Sequence, residues 1–183
     1  MEKRPWRESF FGAIVAELEP VESRQGSILE LGSGPGFLAR RILEAWPRVD
    51  YTALDFSAAM HALAKERLGP LAQRVCFVLR NFKEPGWTSG LSSYDAVVTL
   101  QAVHELRHKR HAASLYEAVT ALLRPGGVFL VCDHVCGEGG LADASLFMSR
   151  DEHRNALLEA GFSAHELRHE NGMVLYRAQR ERP

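Results

Sequence analysis

One stretch of the chain concentrates side chains able to move protons: QAVHELRHKRH, residues 101–111. His104 carries an imidazole whose ordinary pKa of about 6.5 suits general-base work, and Glu105 beside it is a weaker candidate for the same task. His104 and His108 are four apart and His111 follows three later, so on one continuous helix they would share a face and could hold a metal. The intervening Arg107, Lys109 and Arg110 favour a basic, solvated segment instead, in which a metal would compete with fixed cations. No metal is assigned there. Cys132 and Cys136 are spaced C-x-x-x-C without a second ligand pair, which argues against zinc as well. The basic segment could equally attract an acidic acceptor or nucleic acid.

A second stretch, residues 28–37, reads ILELGSGPGF and raises the question of what sits on its glycines. A strand-like run leads into Gly32, Gly34 and Gly36, and helix-compatible residues follow at once, an arrangement that makes a site for a charged ligand. A tight turn without a ligand is the bland alternative. The dinucleotide fingerprint G-x-G-x-x-G needs a third glycine at position 37, where Phe37 stands, so NAD is disfavoured. The phosphate-binding G-x-x-x-x-G-K-[ST] pattern fails too, because no Lys-Ser or Lys-Thr follows. Asp55, at the end of YTALDF, can accept hydrogen bonds from both hydroxyls of a ribose.

These residues must be positioned by strands alternating with helices. SILEL, DYTAL, RVCFVL, YDAVVTL and GGVFLVCD are short apolar runs of the kind buried in a parallel sheet, and helical periodicity fills most of the gaps. Ser57 is a candidate N-cap for a helix that Gly69-Pro70 ends, and Ser149 with Glu152 forms a capping box before a helix that stops at Gly161. The tail, SAHELRHENGMVLYRAQ, is two strand-like runs joined at Asn171-Gly172, a hairpin signal that makes the last pair antiparallel. The expectation is an α/β, doubly wound, three-layer domain with a seven-stranded, mostly parallel sheet.

At this point the pattern Glu30-Leu31-Gly32-Ser33-Gly34-Pro35-Gly36 resembles motif I of the class I S-adenosylmethionine (SAM) dependent methyltransferases. The resemblance runs through five ordered blocks over about residues 28–178 and implies the strand order 3-2-1-4-5-7-6 with strand 7 antiparallel. It implies that Gly32, Ser33, Gly34 and Gly36 let the backbone approach the amino acid end of SAM while Glu30 attracts its ammonium, directly or through water. By the same resemblance Phe56 and Met60, from F-S-x-x-M, offer apolar contact beside the adenine. Asn81 stands where the family usually has an acid that accepts from the adenine amino group, and its amide oxygen can do the same. Phe82 would stack on the base, and Gln101, with Leu100 and Ala102, would line the methionine end. His104 matches in position a general-base histidine of some small-molecule O-methyltransferases of this class. Asp133 and His134 would face the acceptor pocket. The stretch LLRPGGVFLV resembles the family's structural turn into the fifth strand.

The implied activity is methyl transfer from SAM, with S-adenosylhomocysteine as product, to O or N of a small-molecule acceptor. A motif for planar amide or exocyclic nitrogens, [DN]-P-P-[YFW], is replaced by T-L-Q-A, which disfavours those acceptors. Methylation of RNA or protein is one alternative, and a non-catalytic SAM-binding partner subunit is another. The formal net charge of −1 gives no global field to gather nucleic acid or anionic lipid, and no apolar run approaches the ~20 residues that span a bilayer. A cytoplasmic protein is expected, with a homo-oligomer left open. Residues 1–183 read as one domain, with an N-terminal helical segment (1–25) ahead of the core (26–183). Trp6, Phe10 and Phe11 are either a lid or the buried face of the first helix, and Phe10 with Ile14 at helical spacing favours the latter. Three cysteines, Cys76, Cys132 and Cys136, read as free buried thiols.

Overall fold

The computed structural model describes residues 6–180. Helices α1 (Trp6–Glu17) and α2 (Glu19–Ser23) precede β1 (Ser27–Leu31), α3 (Phe37–Ala45), β2 (Asp50–Asp55), α4 (Ala58–Leu68) and β3 (Val75–Leu79). There follow β4 (Tyr94–Leu100), α5 (Ala112–Leu122), β5 (Leu123–His134), α6 (Arg150–Glu159), β6 (Phe162–Glu170) and β7 (Met173–Arg180). The seven strands form one sheet in the order β3-β2-β1-β4-β5-β7-β6, parallel except for β7, which runs antiparallel to β5 and β6. Both the order and the antiparallel strand are those the sequence implied.

Period-two alternation decides which face each side chain serves. On β1, β4 and β5, Ile28, Ala96, Val98, Val128 and Leu130 pack with Phe10, Ile14 and Ile42 of α1 and α3. Their neighbours Leu29, Val97, Phe129 and Val131 pack with Tyr116 and Val119 of α5 and Leu157 of α6. Two apolar layers therefore sandwich the sheet. Phe10, Phe11 and Ile14 are buried, so α1 spends its aromatic face on packing, while the side chain of Trp6 lies outside the described residues.

The caps sit where the sequence put them. The Ser57 hydroxyl accepts the Met60 N–H at 3.3 Å at the head of α4, and Ser149 and Glu152 complete their capping box at α6. Asn171 and Gly172, at φ 51° and 71°, turn β6 into β7 in the left-handed region that a two-residue hairpin requires. The thiols depart from expectation. Cys132 is buried and burial pushes its pKa up, but Cys136 is half-buried and Cys76 is exposed, because β3 is an edge strand. Among the described residues, no helix is long and apolar enough to cross a membrane.

Candidate active site

All parallel strands deliver their C-terminal ends to one edge, and the loops beyond that edge enclose a cleft of about 290 Å³. Gly32 and Gly34 form one wall, Asp55, Phe56, Ser57 and Met60 the next, and Asn81, Phe82 and Lys83 the third. Gln101, Ala102 and Glu105, after β4, close the circuit. Four separate stretches of sequence, those that follow β1, β2, β3 and β4, thus meet on one sheet edge.

The glycine loop is tight for a steric reason. At φ 66°, Gly32 lies against Ala102, and a Cβ added there would overlap the Ala102 Cβ. Gly36, at φ 78°, starts α3 so close to α4 that its Cβ would meet the Ala64 Cβ at 3.0 Å. Gly32→Ala should therefore cost roughly 2–4 kcal/mol of stability from backbone strain plus overlap. Chemical denaturation measures this, and adding Ala102→Gly should restore the part due to overlap.

Asp55 stabilises the loop from the far side. Its Oδ2 accepts the Gly34 N–H at 2.7 Å and its Oδ1 accepts the Ser57 N–H at 2.9 Å. Each carboxylate oxygen keeps a lone pair for a further donor, so the group can still receive hydroxyls of a ligand. Phe56 is 60% exposed, an apolar ring presented to whatever fills the cleft. The Asn81 amide oxygen accepts the Lys83 N–H at 3.0 Å, which folds this turn and also engages one acceptor lone pair.

Glu30 does not line the cleft. It lies two residues after Ile28, and alternation turns its side chain into the α1/α3 layer, where it is 2% exposed and accepts a 2.7 Å hydrogen bond from the Tyr51 hydroxyl. Burial raises its pKa from 4.5 to about 8 against the opposing effect of the Tyr51 bond, with the Asp55 charge adding to the rise. Burial, then the Glu30 charge and hydrogen bond, raise the Tyr51 pKa well above its ordinary value. Ser33 is likewise buried behind the loop, its N–H donated to the Leu54 carbonyl at 3.0 Å.

The proton-handling residues meet beside this cleft. QAVHELRHKRH is not one helix: it forms two 3₁₀ turns, Val103–Leu106 and Lys109–His111, separated by Arg107 at φ 63°. The shared histidine face considered from spacing is absent, and His108 instead accepts the Arg110 N–H at its Nδ1, 3.1 Å away. His104 turns inward. Its Nδ1 donates to Asp133 Oδ1 at 2.7 Å, and its backbone N–H donates to Asp133 Oδ2 at 3.1 Å.

Asp133 is 2% exposed because it follows Val131 onto the α5/α6 face, so it supports His104 from beneath rather than facing an acceptor as expected. Burial opposes ionisation of Asp133, yet the His104 hydrogen bond and charge, the charge of neighbouring His153 and the hydrogen bond from the His134 N–H bring its pKa below the ordinary carboxylate value. For His104, burial lowers the pKa, but the Asp133 hydrogen bond and charge and the Glu105 charge outweigh it and the net shift is upward. This is a carboxylate-oriented imidazole: Asp133 fixes the proton on Nδ1, leaving Nε2 as the basic atom.

Around that atom stand Glu105, its Oε1 3.7 Å from Nε2, and the rings of His134 and Phe147, with centroids 5.4 and 5.5 Å from the His104 ring. Gln101 joins the two regions. At φ 56° it lines the cleft, receives a hydrogen bond from Arg7 of α1 on its Oε1, and donates from its Nε2 to His134 Nε2 at 2.8 Å. Sequence reasoning missed Lys83 and Phe147, which sit in loops without a motif of their own.

A methyltransferase-domain profile matches residues 29–129, the span from β1 into β5. The chain belongs to the class I SAM-dependent methyltransferase family. This methyltransferase domain is 32% identical over 130 residues to a ubiquinone/menaquinone biosynthesis C-methyltransferase of Methylobacterium nodulans, covering 69% of this chain and 48% of that one. It is 31% identical over 131 residues to a malonyl-[acyl-carrier protein] O-methyltransferase of Chlorobium phaeovibrioides, covering 67% and 46%. The chain spans about half the length of these curated relatives. Its fold matches that of the DszA carbon methyltransferase (TM-score 0.75, 19% identity, 95% of this chain and 54% of that one). It also matches DesVI of Streptomyces venezuelae (TM-score 0.71, 16% identity, 93% and 90%).

Proposed function

We propose that this chain binds SAM and transfers its methyl group to a small-molecule acceptor whose proton His104 removes. The observation that carries the reading is the continuity of two sites. The cleft ends at Glu105 and Ala102, and the Asp133-oriented His104 is the residue between Val103 and Glu105 on the same turn. The cleft fits SAM chemically: Asp55 for ribose hydroxyls, Phe56, Met60 and Phe82 for a purine, and a loop in which Ala102 occupies the space a Gly32 side chain would need. Gly34 and Gln101 would border its amino acid end. Bound SAM supplies a methyl group already activated on a sulfonium. The protein's own task is then to orient the acceptor and take its proton at His104 Nε2, with Asp133 stabilising the imidazolium that results. Phe147 and the His134 ring lie against the His104 ring, with centroids 5.5 and 5.4 Å away.

A hydroxyl or ammonium acceptor fits this base. A second reading is an activated carbon, such as the carbon between two carbonyls of an acyl thioester. The name of one relative, a C-methyltransferase, favours it, whereas the malonyl-[acyl-carrier protein] O-methyltransferases point to an oxygen of an acyl-carrier-linked acceptor. The same imidazole would remove the acidic C–H proton.

Calorimetric titration with SAM, S-adenosylhomocysteine and NAD tests the cofactor half. Micromolar binding of the first two and none of NAD is expected, with Asp55→Ala weakening binding by about ten- to a hundredfold through loss of charged hydrogen bonds. No SAM binding, or tighter binding of NAD, overturns it. A panel of phenols, amines and β-ketoacyl thioesters, read by S-adenosylhomocysteine release, tests the acceptor half. Turnover of RNA or protein alone, or binding without turnover on every acceptor class, would replace the small-molecule reading with a polymer or scaffold one.

A further inference from the structure

We propose that Lys83 is a strap across the cofactor cleft that sets how long a bound cofactor stays, a proposal that rests on the SAM-binding reading above. The root of this side chain is fixed. Asn81 accepts the Lys83 N–H at 3.0 Å and donates from its own amide to Glu84 at 3.3 Å, so the turn after β3 holds Lys83 at the rim. From there Lys83 Nζ donates to the Glu105 carbonyl at 3.3 Å, on the opposite wall. On the way it passes the Phe56 ring, 5.6 Å from the centroid, on the wall that follows β2. One side chain thus bridges the loops after β2, β3 and β4, and all three loops line the cleft.

Both contacts are individually weak and partly solvated, so the strap opens spontaneously and recloses. A closure of this kind hinders departure more than arrival when the bound ligand adds its own contacts to the Lys83 stem. The strap is then closed more of the time over a filled cleft than over an empty one, and its loss weakens affinity by the factor it speeds release. Glu105 adjoins His104, so the strap also steadies the turn that carries the base.

Stopped-flow kinetics of SAM and S-adenosylhomocysteine binding tests this on Lys83→Met and Lys83→Arg. Lys83→Met keeps an unbranched apolar stem but loses the charge and the donor. It should speed release of both ligands about five- to tenfold with association changed less than about twofold. Lys83→Arg, which can still cross the gap and lie on Phe56, should release within about twofold of wild type. In the unliganded protein, amide hydrogen exchange at Glu105 and Arg107 should quicken in Lys83→Met and not in Lys83→Arg. An unchanged release rate in Lys83→Met, or release and exchange altered equally in both variants, overturns the strap. A wild type that binds neither ligand overturns the cofactor reading instead, and unchanged exchange in Lys83→Met would then remove the Lys83–Glu105 tie as well. Matching unfolding temperatures identify variants that fold normally.

Discussion

Replacing His104 by Gln lowers turnover by about 10²–10⁴-fold while calorimetry finds SAM bound as tightly as in the wild type. The two halves of this expectation rest on different atoms. His104 is absent from the walls of the cofactor cleft, which its neighbours Ala102 and Glu105 line, so its loss leaves the cofactor contacts in place. Its Nε2, by contrast, is the one basic atom that Asp133 orients, since the 2.7 Å bond to Asp133 holds the proton on Nδ1. Glutamine keeps a polar side chain of similar reach but cannot accept a proton at neutral pH. Equal losses of binding and turnover would remove His104 from the chemistry and make it a structural residue.

The pH dependence follows with a definite sign. Because the net shift of His104 is upward, the base is protonated until the pH exceeds its ordinary range, and the acid limb of turnover should lie above that of a free imidazole. Asp133→Asn removes the charge and hydrogen bond that raise the His104 pKa, so the limb should move to lower pH. The plateau should nevertheless fall by about 10²–10⁴-fold, because an amide can donate to Nδ1 and so place the proton on Nε2. A rate profile from pH 5 to 9 on both proteins separates the two effects. A limb that moves up in the variant would sink the assignment.

The sequence made the cleft's lining legible for a topological reason. In a parallel sheet every strand ends at the same edge, so residues noted after β1, β2, β3 and β4 had to meet once the strand order was known. Gly32, Asp55, Met60, Phe82 and Gln101 do meet there. Glu30 lies off the cleft because it still belongs to the strand: the chain leaves the sheet only at Gly32, and alternation sends residue 30 to a buried face. His104 and Asp133 were each visible, but not as a pair. Their contact spans 29 positions and arises because β4 and β5 are neighbours, which carries Asp133 beneath the turn after β4. The histidines share no helical face, as the basic residues between them suggested, because Arg107 adopts a left-handed conformation that no pattern of residue types announces. Lys83 and Phe147 owe their places to how loops fold back, the part of a structure least constrained by periodicity.

Glu30→Gln should abolish a loss of stability that the wild type suffers as the pH rises from about 4.5 to 8, on the order of 4 kcal/mol in total. In that window the unfolded chain ionises Glu30 while the folded chain, with its pKa raised from 4.5 to about 8, keeps the carboxyl protonated. Folding then takes up a proton, so each step up in pH favours the unfolded state until both forms are ionised above pH 8. Glutamine presents a neutral group of the same shape, whose amide oxygen can still accept from the Tyr51 hydroxyl now 2.7 Å from the Glu30 carboxyl. Urea denaturation at pH 5 should find the two proteins close, whereas at pH 9 the variant should be the more stable by a few kcal/mol. Equal stabilities at pH 9 would mean that Glu30 is ionised in the folded protein throughout the neutral range. It would then be a buried negative charge beneath the glycine loop, available to a cationic ligand through the backbone between them. The measurement therefore decides whether the acid of motif I here is a neutral core residue or part of the electrostatics of the cleft.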